Sequence, residues 1–273
     1  MSARHIEQIY VDELGERSSD QPSLVLIHGL GATGASWRPL IESMQAAAAP
    51  ISHCVMIDLP GAGLSPQRLA IPTLSGLAQD VVSVIKALGL NHIHLVGHSM
   101  GSLLAQKIAE LATKSEFPAQ IKSVSLLAAI AHPSDAMRQR LMQRAETVRQ
   151  HGMAAIAEQI AENGASLSSR QANPLLAAYL RSLHLAQEPS GYAGQCEVLA
   201  SASGVDLMGL PSPFLLLAGD EDAVAPPSAV QAMEDKLPQA EMVVLHRCGH
   251  WLPLERPGEC GKYMAEFLQH LRR

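Results

Sequence analysis

Short apolar runs alternate with helical patterns along most of the chain. Between the runs, apolar residues recur every three or four positions, most clearly after Thr73, a predicted N-cap, and before Gly89, where the helix is expected to end. This alternation of strand and helix predicts an α/β fold with a doubly wound, mostly parallel sheet. The predicted strands lie at residues 4–14, 23–28, 53–58, 93–96, 121–129, 213–218 and 242–245.

One long segment interrupts this alternation. Residues 133–208 carry helical patterns without a strand-like run, and turn signals such as Gly164 and Pro174 separate them. We therefore predict an all-helical cap at 133–208, inserted between two strands of a core formed by 1–132 and 209–273.

Composition narrows the class of protein and its partners. The chain has 273 residues, of which 47% are hydrophobic and 17% charged, enough for a substantial core. A net charge of −6 without a basic stripe argues against nucleic acid as a partner. No apolar run approaches the roughly 18 residues of a membrane span, and no signal region is visible. The four widely spaced cysteines predict reduced thiols and hence a cytoplasmic protein.

A glycine-flanked serine, Ser99, lies between a predicted strand and a predicted helix. The sequence around it has the form Gly-x-Ser-x-Gly, with Gly97 and Gly101 on either side. In this context the motif predicts a nucleophile elbow, a sharp turn with the serine at its tip. The glycines are needed because neighbouring chain packs closely around a strained backbone.

A serine nucleophile needs a base to take its proton and a third group to orient that base. The acids Asp220, Glu221 and Asp222 follow one predicted strand, and His250 follows the next. Site residues collect at strand ends in open α/β sheets. The chain order of serine, acid and histidine is the one expected for an elbow of this kind.

Two backbone N–H groups are predicted to form an oxyanion hole. Attack on an ester carbonyl creates a negative oxygen, which such preorganised donors stabilise. One N–H is expected from Met100, directly after Ser99, and the other from Leu30 in the glycine-rich loop 28–31. His28 is expected to brace this loop through hydrogen bonds.

With these motifs, the chain resembles the α/β-hydrolase superfamily along its whole length. Within it, the chain is most similar to the 3-oxoadipate enol-lactonase and small carboxylesterase group, to whose cap residues 149–154 and 191–196 are similar. The resemblance implies the α/β-hydrolase fold, and it implies Asp222 as the acid, because related chains use the last position of Gly-x-x-Asp. The motifs that carry it lie at 28–31, 58–65, 97–101, 219–222 and 249–250.

The resulting hypothesis is a serine hydrolase that cleaves a small carboxylic ester or lactone through an acyl-enzyme, with a triad of Ser99, Asp222 and His250. No metal or other cofactor is expected, and the sequence leaves the oligomeric state open. The same triad and oxyanion hole could instead cleave a carbon–carbon bond, a thioester or a peracid. A ligand receptor that keeps the triad is the alternative from another class, because a fold does not determine a function.

The substrate pocket is expected to include His98 and Trp251, beside the triad, and Met153 and Tyr192 from the cap. Its walls should be mainly apolar. A buried cap arginine would instead impose a preference for an anionic substrate, although most cap arginines are predicted to lie on solvated helix faces. The six candidates are Arg138, Arg140, Arg144, Arg149, Arg170 and Arg181.

Overall fold

The computed structural model describes residues 2–18, 21–68, 72–113 and 116–272. Within these ranges eight strands form one sheet. They are β1 (Ser2–Ile6), β2 (Ile9–Gly15), β3 (Ser23–Ile27), β4 (His53–Ile57), β5 (His92–His98), β6 (Gln120–Leu127), β7 (Phe214–Gly219) and β8 (Ala240–Leu245). The spatial order is β1-β2-β4-β3-β5-β6-β7-β8. β2 is antiparallel to both β1 and β4, and all other neighbours are parallel. The doubly wound, mostly parallel sheet is thus confirmed.

The single strand predicted at 4–14 is wrong, because this segment is a hairpin of β1 and β2. The turn residues Glu7 and Gln8 both have positive φ, 49° and 71°, and the flanking Ile6 and Ile9 pair. Two such residues are typical of a type I′ turn, which usually has Asn-Gly or Asp-Gly. Glu-Gln gives no such signal, so the sequence did not show the turn.

Helices cover both faces of the sheet. They are a 3₁₀ helix at Gly34–Trp37, α1 (Arg38–Ala46), α2 (Leu74–Ala87), α3 (Met100–Leu111), α4 (Asp135–His151), α5 (Ala154–Asn163), α6 (Leu167–Ala172), α7 (Pro174–Leu185), α8 (Pro189–Ser201), α9 (Pro227–Glu234), α10 (Leu252–Glu255) and α11 (Pro257–His270). Alternate strand residues point to opposite faces. In β3, Val25 and Ile27 therefore pack with α2 and α3, and Leu24 and Leu26 pack with α1 and α11.

The segment between β6 and β7 is all-helical, as predicted. It contains α4 to α8, with α4 packed against α8 and α5 against α7. A small apolar cluster joins it to the core, with Leu180 of α7 in contact with the group that includes Ala32 and Trp251. These two core residues follow the carboxyl ends of β3 and β8, so the helices lie over that edge of the sheet. The exact boundaries at 133 and 208 stay a prediction.

Two further sequence expectations concern thiols and membranes. All four cysteines are buried and free, and burial raises the pKa of Cys54 and of Cys196 to about 12, so these thiols stay protonated at neutral pH. In the described ranges, no helix combines the length and the apolar character that crossing a membrane requires.

Candidate active site

Ser99 lies at a sharp turn between β5 and α3, with φ of 53° and ψ of −118°. A Cβ on Gly97 would lie 2.3 Å from the Gly101 carbonyl oxygen, and one on Gly101 would lie 2.1 Å from that of Ile27. The Ser99 N–H donates to the Leu127 carbonyl at 2.9 Å. Glycines are therefore required on both sides, and the surrounding strands hold the serine in a conformation that is unfavourable on its own.

The three predicted triad side chains meet at the carboxyl edge of the sheet. His250 Nε2 lies 2.8 Å from Ser99 Oγ, and His250 Nδ1 lies 2.8 Å from Asp222 Oδ2. Asp222 Oδ1 accepts the N–H groups of Val224 and Ala225 at 2.7 and 2.9 Å. A carboxylate only accepts hydrogen bonds, so the proton lies on Nδ1, and Nε2 is free to accept from Ser99.

The Asp222 side chain is fully buried, whereas that of His250 is 12% exposed. Burial alone would raise the pKa of Asp222, but His250 and the two backbone donors outweigh it and hold that pKa below its usual value. Asp222 is therefore a carboxylate at neutral pH, as the orientation of His250 requires.

The other two acids of the cluster do not reach His250. Asp220 Oδ1 accepts the Cys248 N–H at 3.1 Å, and its Oδ2 lies 3.2 Å from Nδ1 of His246. The side chain of Glu221 is exposed, and its N–H donates to the Cys248 carbonyl at 2.9 Å. The structure thus places Asp222, and neither neighbour, against the histidine.

A buried acid that the sequence analysis missed, Glu255 in α10, holds the chain on both sides of His250. Its Oε2 accepts the N–H groups of Gly249 and Ser166, and its Oε1 accepts that of Trp251, each at 2.9 Å. Because Ser166 belongs to the helical segment, Glu255 also ties that segment to the histidine loop. An acid five residues after the histidine was the only signal in the sequence, and spacing alone does not show what it contacts.

The structure places His98 behind the site and not among the residues that line the cavity of Ser99, which corrects the sequence interpretation. Its Nε2 donates to the His250 carbonyl at 2.8 Å, and its ring packs edge-on against Trp37. Burial, together with the nearby His250, lowers the pKa of His98 to about 3, so the ring is neutral. Its contacts brace the main chain of His250.

The loop 28–31 lies beside Ser99, as expected. His28 Nδ1 donates to the Gly29 carbonyl at 2.8 Å, and its Nε2 accepts the Leu59 N–H at 3.0 Å. This is the bracing arrangement predicted for His28, whose pKa is lowered by burial. In the part of the chain that the structure describes, the N–H groups of Leu30 and Met100 have no hydrogen-bond acceptor, so both can donate to a bound group.

A cavity of about 190 Å³ contains Ser99 and His250. Liquid water occupies about 30 Å³ per molecule, so the cavity has room for about six waters or a small organic molecule. Tyr192 and Trp251 line it, whereas Met153, which packs into the main core at the start of α5, does not. The other lining residues are Leu30, Met137, Leu141, Arg144, Gln159, Ile160, Asn163, Gly164, His184, Leu199 and Val224.

Residues 22–257 match the family model of the alpha/beta hydrolase fold. The chain belongs to this family of hydrolases, which confirms the resemblance drawn from the motifs. It is 25% identical to the (E)-2-((N-methylformamido)methylene)succinate hydrolase of Acinetobacter baylyi, over 93% of this chain and 92% of that one.

Two solved structures show the same fold. A thermophilic esterase from Thermogutta terrifontis, with malate bound, superposes with a TM-score of 0.86 at 25% identity, over 97% of this chain and 94% of that one. The enol-lactonase from Burkholderia xenovorans LB400 superposes with a TM-score of 0.85 at 23% identity, over 98% of this chain and all of the other.

Proposed function

We propose that the protein is a serine hydrolase that cleaves a small carboxylic ester or lactone through an acyl-enzyme. The observation that carries this proposal is the unbroken hydrogen-bonded series from Asp222 through His250 to Ser99, with both distances at 2.8 Å. The similarity to an esterase and to a hydrolase of a succinate derivative, each 25% identical, supports turnover over a receptor function.

In the proposed mechanism, Ser99 Oγ attacks the carbonyl carbon while His250 Nε2 takes its proton. The oxygen that becomes negative accepts hydrogen bonds from the N–H groups of Leu30 and Met100. His250 then gives the proton to the leaving oxygen, and the carbonyl re-forms as an ester of Ser99. A water molecule, activated by the same histidine, hydrolyses this ester, and Asp222 stabilises the imidazolium in both halves.

Trapping the acyl-enzyme tests this proposal. Mixing the protein with excess p-nitrophenyl acetate should release a burst of p-nitrophenol, up to one per protein, before the steady rate. Digestion after acid quenching should locate one acetyl group on the peptide that contains Ser99. If the protein showed no burst and no turnover on any short ester, the result would favour the receptor function. Acetylation of a residue other than Ser99 would refute the assignment of the nucleophile.

We further propose that residues 133–208 act as the cap and set specificity over the core of 1–132 and 209–273. The triad and the two oxyanion N–H groups belong to the core, and they interact with the carbonyl that all esters share. The helical segment supplies most of the remaining cavity wall, including Leu141 of α4, so the acyl and alcohol parts of a substrate meet mainly the cap.

Across p-nitrophenyl esters of increasing chain length, the rate should fall once the acyl group exceeds the small cavity. Because one methylene in an apolar pocket changes binding by only about 1–3 kcal/mol, the decline should be gradual. Leu141→Ala should move the optimum to longer chains, since it removes volume from the wall. Leu175→Ala is the matched control, because Leu175 lies in the cap and is 76% exposed. An unchanged order of substrates in Leu141→Ala would contradict this division of roles.

A further inference from the structure

One cationic side chain, Arg144 of α4, lines the cavity that contains Ser99. None of the other described residues along its wall is an acid or a lysine. His184 lies on the wall too, but burial lowers its pKa to about 4, and Arg144 adds to this effect. Arg144 is therefore the permanent positive charge among the residues that line this cavity.

Three other cap arginines have partners within the protein. Arg149 pairs with Glu197 at 2.5 Å, and Arg181 pairs with Glu158 at 2.7 Å. Arg138 donates to the main-chain carbonyl groups of Ala200 and Ala202.

Arg144 differs from these arginines. Across the described ranges it forms no ion pair, although it is partly buried. Desolvating a guanidinium without an anion is unfavourable, and because Arg144 lines the cavity of Ser99, an anion bound in that cavity would offset this cost.

Tyr192 of α8 lies on the same cavity wall as Arg144. Tyr192 is 1% exposed, and among the described residues no partner meets its hydroxyl in hydrogen-bond geometry, although Arg144 and Cys196 are its polar neighbours. Burial, together with the nearby Cys196, raises the pKa of Tyr192, and the neighbouring Arg144 guanidinium acts in the opposite direction. A buried hydroxyl without a hydrogen bond is costly, and the Tyr192 side chain lines the same cavity as Arg144.

We propose that Arg144 and Tyr192 form a carboxylate-binding subsite, so that the substrate is a small ester or lactone that also carries a carboxylate. A guanidinium can donate two parallel hydrogen bonds to a carboxylate, and the phenol can donate a third. The nature of the cleaved bond rests on the proposed function, whereas the subsite itself does not require Ser99. In a cavity of about 190 Å³, a short chain must separate the carboxylate from the reacting carbonyl.

A matched pair of substrates tests the subsite. p-Nitrophenyl hydrogen glutarate and p-nitrophenyl pentanoate have acyl chains of equal length, and only the first ends in a carboxylate. Wild-type kcat/KM should favour the glutarate ester by about 10- to 100-fold, the usual range for hydrogen bonds to charged groups. Arg144→Gln should abolish this ratio, and Tyr192→Phe should lower it by less.

Arg140→Gln is the control variant, because Arg140 is exposed on the same helix and its loss changes the net charge equally. Its ratio should equal that of the wild type. If Arg144→Gln is unstable, Arg144→Lys keeps the charge without the planar fork, and the ratio should be intermediate. Acetylglycolate compared with ethyl acetate repeats the test with the carboxylate on the alcohol side, and the pair with the larger ratio shows which half of the substrate carries the charge.

Titration calorimetry with glutarate separates the subsite from catalysis. Wild-type protein should bind glutarate, and Arg144→Gln should weaken the Kd by about 10- to 100-fold. If glutarate binding depended on Arg144 but the protein had no esterase activity, the proposed subsite would be supported and the proposed hydrolase function would be refuted. The subsite proposal would be overturned if the wild type and Arg144→Gln had the same ratio of kcat/KM for the glutarate and pentanoate esters. It would also be overturned if the glutarate Kd did not depend on Arg144.

Discussion

Ser99→Ala is expected to lower kcat for p-nitrophenyl acetate by about 10⁶-fold, a loss of the size seen when an acyl-transfer nucleophile is removed. The variant should remain folded, because the elbow is held by the Ser99 main-chain N–H and by the two flanking glycines, none of which changes. Steady-state kinetics and the thermal midpoint together check this expectation.

His250→Ala provides the comparison for this variant. If the serine and the histidine act as one unit, His250→Ala should lose about as much activity as Ser99→Ala, and the double variant should lose no more. Additive losses would show that the two side chains contribute separately, and the acyl-enzyme mechanism would then be wrong.

Asp222→Asn is expected to lower kcat by about 10⁴-fold while leaving KM nearly unchanged. The asparagine oxygen can keep the two N–H donors of Val224 and Ala225. Its NH₂ then faces His250 Nδ1, which must accept, so the proton moves to Nε2. In that tautomer the histidine cannot take a proton from Ser99. Kinetics on a short activated ester measure the loss.

Asp220→Asn is the matched control, since it is the same substitution two residues earlier. Asp220 accepts the Cys248 N–H and does not contact His250, so its loss should affect stability more than rate. If Asp220→Asn proved the more damaging variant for kcat, the identification of Asp222 as the orienting acid would be wrong.

Much of the fold and of the site could be predicted from local sequence. The elbow around Ser99 was predictable because its requirement for Gly97 and Gly101 is set by backbone within a few residues. The all-helical segment was predictable because the apolar spacing changes there. The order of Ser99, Asp222 and His250 along the chain, each after its own strand, predicted the meeting of the three side chains because parallel strands end at one edge.

Other features were decided by contacts between distant segments. Periodicity placed apolar faces on the cap helices, yet it could not show that Met153 packs into the main core or that His98 lies behind the histidine loop. The hairpin of β1 and β2 was hidden because Glu7 and Gln8 adopt positive φ without the usual turn residues.

The sequence by itself determined the hydrolase class and the fold, because the sharp turn at Ser99 and the strand-end positions of Asp222 and His250 depend on local backbone and on covalent spacing. Only the tertiary structure decided which of six cap arginines enters the cavity and that Glu255 holds both neighbours of His250. Each of those outcomes depends on how α4 and α10 pack against elements far away in the chain. A hydrogen bond near 2.9 Å or a desolvated charge is set by that packing, which no local pattern specifies.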